Sequence, residues 1–392
     1  MAQSVLKNNK EVSDQVRLAF QWLQNSGIQI RSQDPQTNGG VCSWFDLERN
    51  SYPFIYAEIT GYAVNAFLFQ HKITGDLSYL TSAVRAGDWL LKNRCSQTGL
   101  VRTRHWLDET KAPYYDQYFF TFDQWIIVYG LACLAEVTRE PRFHEGATSI
   151  AKYLLAKTLR SDGFFYPLYD GAQHRSVEFG DKWSRQAGSF HAKALMALSK
   201  LFQITGEPAY RHAAERLLTK TLFAQTPEGR FITQDSDQST HLHPFLYTLE
   251  GLASYALSEG KKEILIAVER AMKWVLDRQN ADGSLYCFYQ GGSFRPCVRA
   301  DIMAQVLRMG TILTQQGLLE GSAQSLDKLR GKLETYQVPE GSQTGGFMYG
   351  QEENGAVHSH VNAWVTMFAS QAMCIHDGLR QTRPSYDMSF FV

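Results

Sequence analysis

The chain has 392 residues, and its Lys+Arg and Asp+Glu totals are equal at 39 each, so no net field draws it toward nucleic acid or an anionic membrane. That length exceeds the usual single domain. One repeat register nevertheless runs almost end to end with no Pro/Ser-rich or charged linker, which points to a single domain over 1–392. The opening MAQSVLKNNKEVSDQ has no apolar core of a leader, and no apolar run approaches the roughly 18 residues of a membrane span. Six scattered cysteines (Cys42, Cys95, Cys133, Cys287, Cys297, Cys374) show no CxxC. They read as free buried thiols of a reducing cytoplasm rather than a disulfide framework or zinc site.

In chain order, amphipathic segments are expected near 9–26, 77–94, 142–158, 208–223, 262–279 and 322–337. They alternate with segments that are apolar or small nearly all round, near 56–73, 119–138, 187–205, 244–259, 298–317 and 360–378. The first set reads as an outer helical layer and the second as an inner one. Inner-to-outer links are short turns such as KITGDLSY and QITGEPAY. Outer-to-inner links are long and hold a glycine followed by a short aromatic strand, as in NGGVCSWFD, TGLVRTRHW, DGFFYPLYD and DGSLYCFYQ. The glycines Gly40, Gly99, Gly163, Gly229, Gly283 and Gly346 recur at intervals of roughly 55–65 residues, longer than a two-helix solenoid unit. Six such hairpins that bury their faces only against neighbours predict an all-α fold, an (α/α)6 barrel with short Gly-aromatic β-hairpins on one rim. The long loops and the inner-helix N-termini share that rim, so function is expected in the funnel there.

Polar residues stand where the inner segments begin. The first brings Tyr56, Glu58 and Tyr62; the second Asp123, Gln124 and Trp125; the third Asp181, Trp183, Arg185, Gln186 and His191. The fourth brings His241, His243, Tyr247 and Glu250, the fifth Arg299 and Asp301, and the sixth His358, His360, Asn362 and Trp364. A buried carboxylate costs several kcal/mol unless paired, so Glu58 at the head of an internal helix reads as a site residue. Asp123 reads either as a site acid or as a first-turn acid favoured by the helix dipole. Arg299 and Asp301 read as site residues or as an ion pair on the rim, and His191 as a site or a core histidine. The histidines lack HExxH spacing, so no metal is expected, and no P-loop, GxGxxG or G-x-S-x-G context implies a cofactor. Trp44, Trp106 and Tyr166 on the hairpins either cap the ring or stack on sugars.

The repeat architecture resembles the six-hairpin glycosidase superfamily over residues 9–380. The TFDQW segment around Asp123 is similar to the catalytic-aspartate region of unsaturated glucuronyl hydrolases. The YAEITGY segment around Glu58 looks like the matching segment of polysaccharide-biosynthesis toroid proteins. N-Acylglucosamine 2-epimerases place histidines on their fourth and sixth inner helices, near His243 and His360. That family carries an Arg on the first inner helix and a His three residues before the fourth-helix Glu, where this chain has Glu58 and Tyr247.

The resemblance implies a carbohydrate partner, and three readings stay open. The first is a glycoside hydrolase with paired carboxylates, Asp123 with Glu58, or Asp301 as substitute. Its substrate would be an oligo- or polysaccharide whose uronate carboxylate is held by Arg185 or Arg299. The second is a sugar epimerase or isomerase shuttling a proton between His243 and His360, and the third a polysaccharide-binding or assembly protein. In each, Trp44, Tyr62, Trp125, Trp183, Arg185, His191, Tyr247, Glu250, Arg299, Asn362 and Trp364 are the expected substrate contacts.

Overall fold

The computed structural model describes residues 12–107, 117–180, 182–234, 236–380 and 391–392. Twelve α-helices lie among them: α1 (Asp14–Asn25), α2 (Ala57–Thr74), α3 (Leu77–Lys92), α4 (Thr121–Thr138), α5 (Pro141–Thr158), α6 (Ala194–Thr205), α7 (Pro208–Phe223), α8 (Leu242–Glu259), α9 (Lys262–Leu276), α10 (Ala300–Gln315), α11 (Ala323–Glu334) and α12 (Ala363–Arg380). The even helices form the inner layer. In α2 every residue from Ala57 to Gln70 is buried, and in α4 every residue from Thr121 to Ala135. An outer helix such as α9 buries only one stripe, through Ile264, Val268, Ala271 and Val275, as a helix with a single apolar face must.

The helices close into the expected ring. The last inner helix, α12, packs against both α1 and α2. On the rim, β1 (Trp44–Asp46) pairs antiparallel with β12 (His360–Asn362), Trp44 opposite Asn362. A recurrent clamp joins the units. The Gln337 amide donates to the Gln15 carbonyl of α1 at 2.8 Å and to the Gly345 carbonyl at 3.1 Å. Gln29, Gln225 and Gln279 span carbonyl pairs in the same way. The hairpin glycine sits under that clamp, and at two units it is the neighbour of the one expected from sequence, Gly39 and Gly345 in place of Gly40 and Gly346. Gly345 has φ +92, and a Cβ there would lie 2.3 Å from the Leu18 carbonyl oxygen; at Gly283, φ +88, it would lie 2.5 Å from that of Lys328. Only glycine combines that φ with so close an approach.

Among the described residues the rim carries four small sheets, built from β1, β2 (Phe54–Tyr56), β3 (Arg104–Trp106), β4 (Tyr118–Phe120), β5 (Leu168–Asp170), β6 (Arg175–Val177), β7 (Thr240–His241), β8 (Tyr286–Gln290), β9 (Ser293–Arg299), β10 (Phe347–Met348), β11 (Gly350–Gln351) and β12. Five inner helices (α2, α4, α8, α10, α12) continue directly from a strand, which fixes the direction of their first-turn side chains.

Two expectations are corrected. The third inner segment is not one helix over 187–205. It enters through 3-10 turns at Trp183–Arg185 and Ser189–Lys193 and becomes α-helical only at Ala194. There Gly251 of α8 lies so close that a Cβ would stand 1.9 Å from the Ala192 oxygen, and the tighter turn accompanies that backbone contact. The cysteines are not all free thiols either, because Cys287 and Cys297 form a disulfide with Cα atoms 5.6 Å apart. They face each other across the β8–β9 hairpin, a relation that a search for CxxC spacing misses. Such bonds persist chiefly in oxidising compartments, which runs against the expected reducing surroundings. No helix among the described residues is long and apolar enough to cross a membrane.

Candidate functional site

The second or third residue of five inner helices sits at the axial end of the ring: Glu58 in α2, Asp123 in α4, His243 in α8, Asp301 in α10 and Trp364 in α12. Above them opens a cavity of about 560 Å³, lined by Trp44, Tyr56, Glu58, Ile59, Arg104, Phe120, Phe122, Asp123, Lys182, Trp183, Ser184, Gln234, His241, His243, Tyr247, Phe288, Arg299, Tyr349 and Trp364. Its size suits a small ligand.

One wall holds the two carboxyl groups. Burial raises Glu58 to about 7, opposed by a hydrogen bond from the Tyr56 hydroxyl and by the nearby Lys193 ammonium. Burial and then the Glu58 charge push Asp123 well above the usual carboxylate range; Arg104 and the same Tyr56 hydroxyl oppose the rise. Asp123 Oδ2 is buried with no hydrogen-bond partner among the described residues. Two like groups this close do not both ionise easily, so near neutrality the pair retains a proton. The Arg104 guanidinium lies 4.2 Å from the Phe54 ring centroid and 5.4 Å from that of Trp106, which fixes it beside the acids.

The acid of the opposite wall is fully paired. Arg299 grips Asp301 with both arms of its fork, Nε to Oδ1 at 3.0 Å and an Nη to Oδ2. Trp364 Nε1 donates to Asp301 Oδ2 at 3.1 Å, and the Ile302 amide donates to Oδ1 at 2.8 Å. Against a burial penalty that would raise it, Arg299 and His243 hold Asp301 down at about 2. Burial lowers His243 to about 4, although Asp301 works the other way, so the imidazole is neutral near pH 7. Beneath this wall Glu250 accepts from Lys193 Nζ at 2.7 Å and from Arg308, all three wholly buried.

Of the residues anticipated from sequence, Glu58, Asp123, His243, Trp44, Trp183, Tyr247, Arg299 and Trp364 line the cavity, and Asp301 and Glu250 lie directly behind it. Tyr56 and His241 line it too, and the remaining candidates lie elsewhere. His360 stands on strand β12 and stacks on the ring of Trp44, centroids 4.6 Å apart, so Trp364 holds the α12 position equivalent to His243. Trp125 packs on Phe165 in the core. Tyr62 lies below Tyr247, rings stacked 6.5 Å apart. His191 is pressed among Phe165 and Phe190, and burial lowers it to about 3. Asn362 caps α12 by accepting from the Val365 amide at 3.1 Å. Arg185 lies 5.9 Å from the Phe179 ring and outside the lining, whereas Arg299 lines the cavity while its fork holds Asp301. Asp181 falls outside the described residues. Arg104 and Lys182 were not singled out from sequence. Burial and the cations Arg185, Arg104 and Arg299 lower Lys182.

The described residues contain no cluster of three or more His, Cys, Asp or Glu side chains placed to hold a metal. No family model matches the chain. A stretch of 79 residues is 37% identical to ent-copalyl diphosphate synthase of Streptomyces sp. (strain KO-3988), covering 20% of this chain and 14% of that protein. The chain thus spans about one-seventh of that curated relative, and the likeness is local. Among solved structures, cellobiose 2-epimerase from Bacillus thermoamylovorans matches with a TM-score of 0.75 and 12% identity, over 93% of this chain and 99% of the other. An unsaturated glucuronyl hydrolase specific for heparin matches with a TM-score of 0.68 and 12% identity, over 95% and 98%. These likenesses establish the fold: the chain has the six-hairpin (α/α)6 toroid that both enzymes share.

Proposed function

We propose that the protein is a carbohydrate-active enzyme, a glycoside hydrolase acting as one domain on an acidic oligosaccharide held in the toroid funnel. The observation that carries the reading is the Glu58–Asp123 pair: two buried carboxyl groups on neighbouring inner helices, in contact with one phenol, retaining a proton near neutrality. Glycosidic cleavage needs one carboxylic acid to protonate the leaving oxygen and one carboxylate to meet the anomeric carbon. Asp123, pushed toward its protonated form by burial and the Glu58 charge and carrying an unpartnered oxygen, is the donor. Glu58, kept partly ionised by Tyr56 and Lys193, is the nucleophile. In a retaining reaction the two groups stand about 5–5.5 Å apart, rather than the 6.5–9.5 Å of inversion. In the second half of the reaction a water, deprotonated by Asp123, releases the sugar from Glu58.

Trp44, Trp183, Tyr349 and Trp364 line the cavity with aromatic rings of the kind that suits sugars. Arg104 and Lys182 at the carboxyl wall suit a uronate carboxylate, the role first given to Arg185 and Arg299. The epimerase reading pairs His243 with His360, and His360 stacks on Trp44 outside the cavity lining.

The test is turnover on a panel of intact and unsaturated acidic oligosaccharides, scored by reducing-end release and, separately, by mass-neutral conversion of free sugars. Reducing-end release is expected, with Asp123→Asn and Glu58→Gln each lowering it by roughly 10²–10⁴-fold. Near-parental turnover in both variants, or mass-neutral conversion alone, overturns the proposal.

A further inference from the structure

His243 meets the cavity with one edge and the barrel interior with the other. Its Nδ1 lies 2.8 Å from Gln305 Oε1 and 3.3 Å from Asp301 Oδ2. No hydrogen bond joins its Nε2 to any described residue. Which ring nitrogen carries the proton follows from the groups behind it. Glu250 is held ionised by Lys193 and Arg308, and an ionised carboxylate only accepts. Gln305 reaches Glu250 Oε1 at 3.3 Å, so its NH2 group must face that carboxylate. The amide carbonyl is therefore turned toward His243, where it can only accept. Asp301, also ionised, can only accept too. Both partners of Nδ1 demand a donor there, and a neutral imidazole has one N–H to give.

We propose that Gln305 is the positioning residue for His243: oriented by Glu250, it holds the imidazole in the neutral Nδ1–H tautomer and presents Nε2 to the cavity as a bare acceptor. Buried partners of this kind set a ring's tautomer and direction. The chemical consequence is a division of labour across the cavity. The Arg104–Lys182 side suits an anionic group, whereas a bare Nε2 accepts from a neutral donor such as a sugar hydroxyl. The proposal goes beyond the paired-carboxyl reading and does not depend on it, because its test needs no substrate.

The groups facing His243 are Asp301 and Arg299 from the β9–α10 segment, Gln305 from α10, His241 from β7, Trp183 from the 3-10 entry, and Tyr247 and Glu250 from its own helix. The experiment is nitrogen NMR of the full chain labelled with 15N-histidine at pH 7, with His243 assigned by its loss in His243→Asn. The wild type is expected to show a pyrrole-type Nδ1 and a pyridine-type Nε2. Gln305→Leu and Gln305→Met remove the close acceptor and should shift the tautomer ratio toward Nε2–H by about tenfold, the scale of one net hydrogen bond. An Nε2–H tautomer in the wild type overturns the proposal whatever the variants do. Wild-type shifts in folded Gln305→Leu or Gln305→Met also overturn it, because Asp301 alone would then fix the ring. If neither apolar variant folds, Gln305→Asn decides: its shorter side chain withdraws the carbonyl from Nδ1, so a shift toward Nε2–H supports the proposal and a wild-type pattern overturns it.

Discussion

The two walls of the funnel use similar residues at equivalent helix positions and reach opposite electrostatic states. Asp301 is buried, yet a guanidinium fork, an indole and a backbone amide satisfy it, and it stays ionised with its affinity for protons depressed to about 2. Glu58 and Asp123 are buried with less compensation, and their proton affinity rises. Burial penalises a charge in both cases, and the supply of donors decides the sign of the shift. The paired wall is built for rigidity. The carboxyl wall stores unfavourable charge where a reaction can use it.

Removing a partner separates the two most sharply. Asp301→Ala leaves Arg299 buried without its counter-charge and should destabilise the fold by about 3–5 kcal/mol, read as a lower urea midpoint at unchanged slope. A loss under about 1 kcal/mol would mean that the Arg299–Asp301 pair is not the scaffold of that wall.

The carboxyl wall should respond with the other sign. Glu58 rises from 4.5 to about 7, so between those pH values the folded chain keeps a proton that the unfolded chain has released. Stability from this group therefore falls as pH rises through that window, and Asp123 adds in the same direction. His243, lowered from 6.5 to about 4, works oppositely: the unfolded chain takes a proton that the folded one refuses, and stability falls as pH drops below 6.5. Glu58→Gln should flatten the loss above pH 4.5 and gain on the order of 2–3 kcal/mol at pH 8. Thermal melts from pH 4 to 9 check this. A variant less stable than the parent at pH 8 would show that Glu58 is compensated after all.

The contrast was partly legible in the sequence. Periodicity exposed the helices and the repeat, and acids at the head of all-apolar segments exposed Glu58, Asp123 and Asp301 before any geometry. Arg104 was hidden because it reaches the cavity from a rim strand, where alternation in RTRHW marks a face but not which neighbour it meets. Lys193 and Arg308 carried a usable signal, since each is a lone cation inside an apolar inner segment (HAKALMAL, AQVLRMGTIL), and burial without a carboxylate partner is untenable. His360 was misplaced because it still belongs to strand β12, before α12 begins, whereas Trp125 lies a full turn inside α4 and packs in the core.

The smallest effect isolates what little compensation the carboxyl wall has. The Tyr56 hydroxyl lowers the proton affinity of both Glu58 and Asp123, so it stabilises their charged forms. Tyr56→Phe keeps the ring and removes only that contact. Stability should change by about 1 kcal/mol or less, because the lost hydrogen bond is offset by relief of burying the hydroxyl. The proton affinity of the pair should rise. If Glu58 must be ionised to attack, the acidic limb of the pH–rate profile then moves to higher pH, with little change in the rate at its plateau. A limb that stays in place would detach the phenol from the acids. A limb that moves down would mean that the group titrating there is not a carboxylate sharing this hydroxyl, and the two walls would differ for a reason other than their supply of donors.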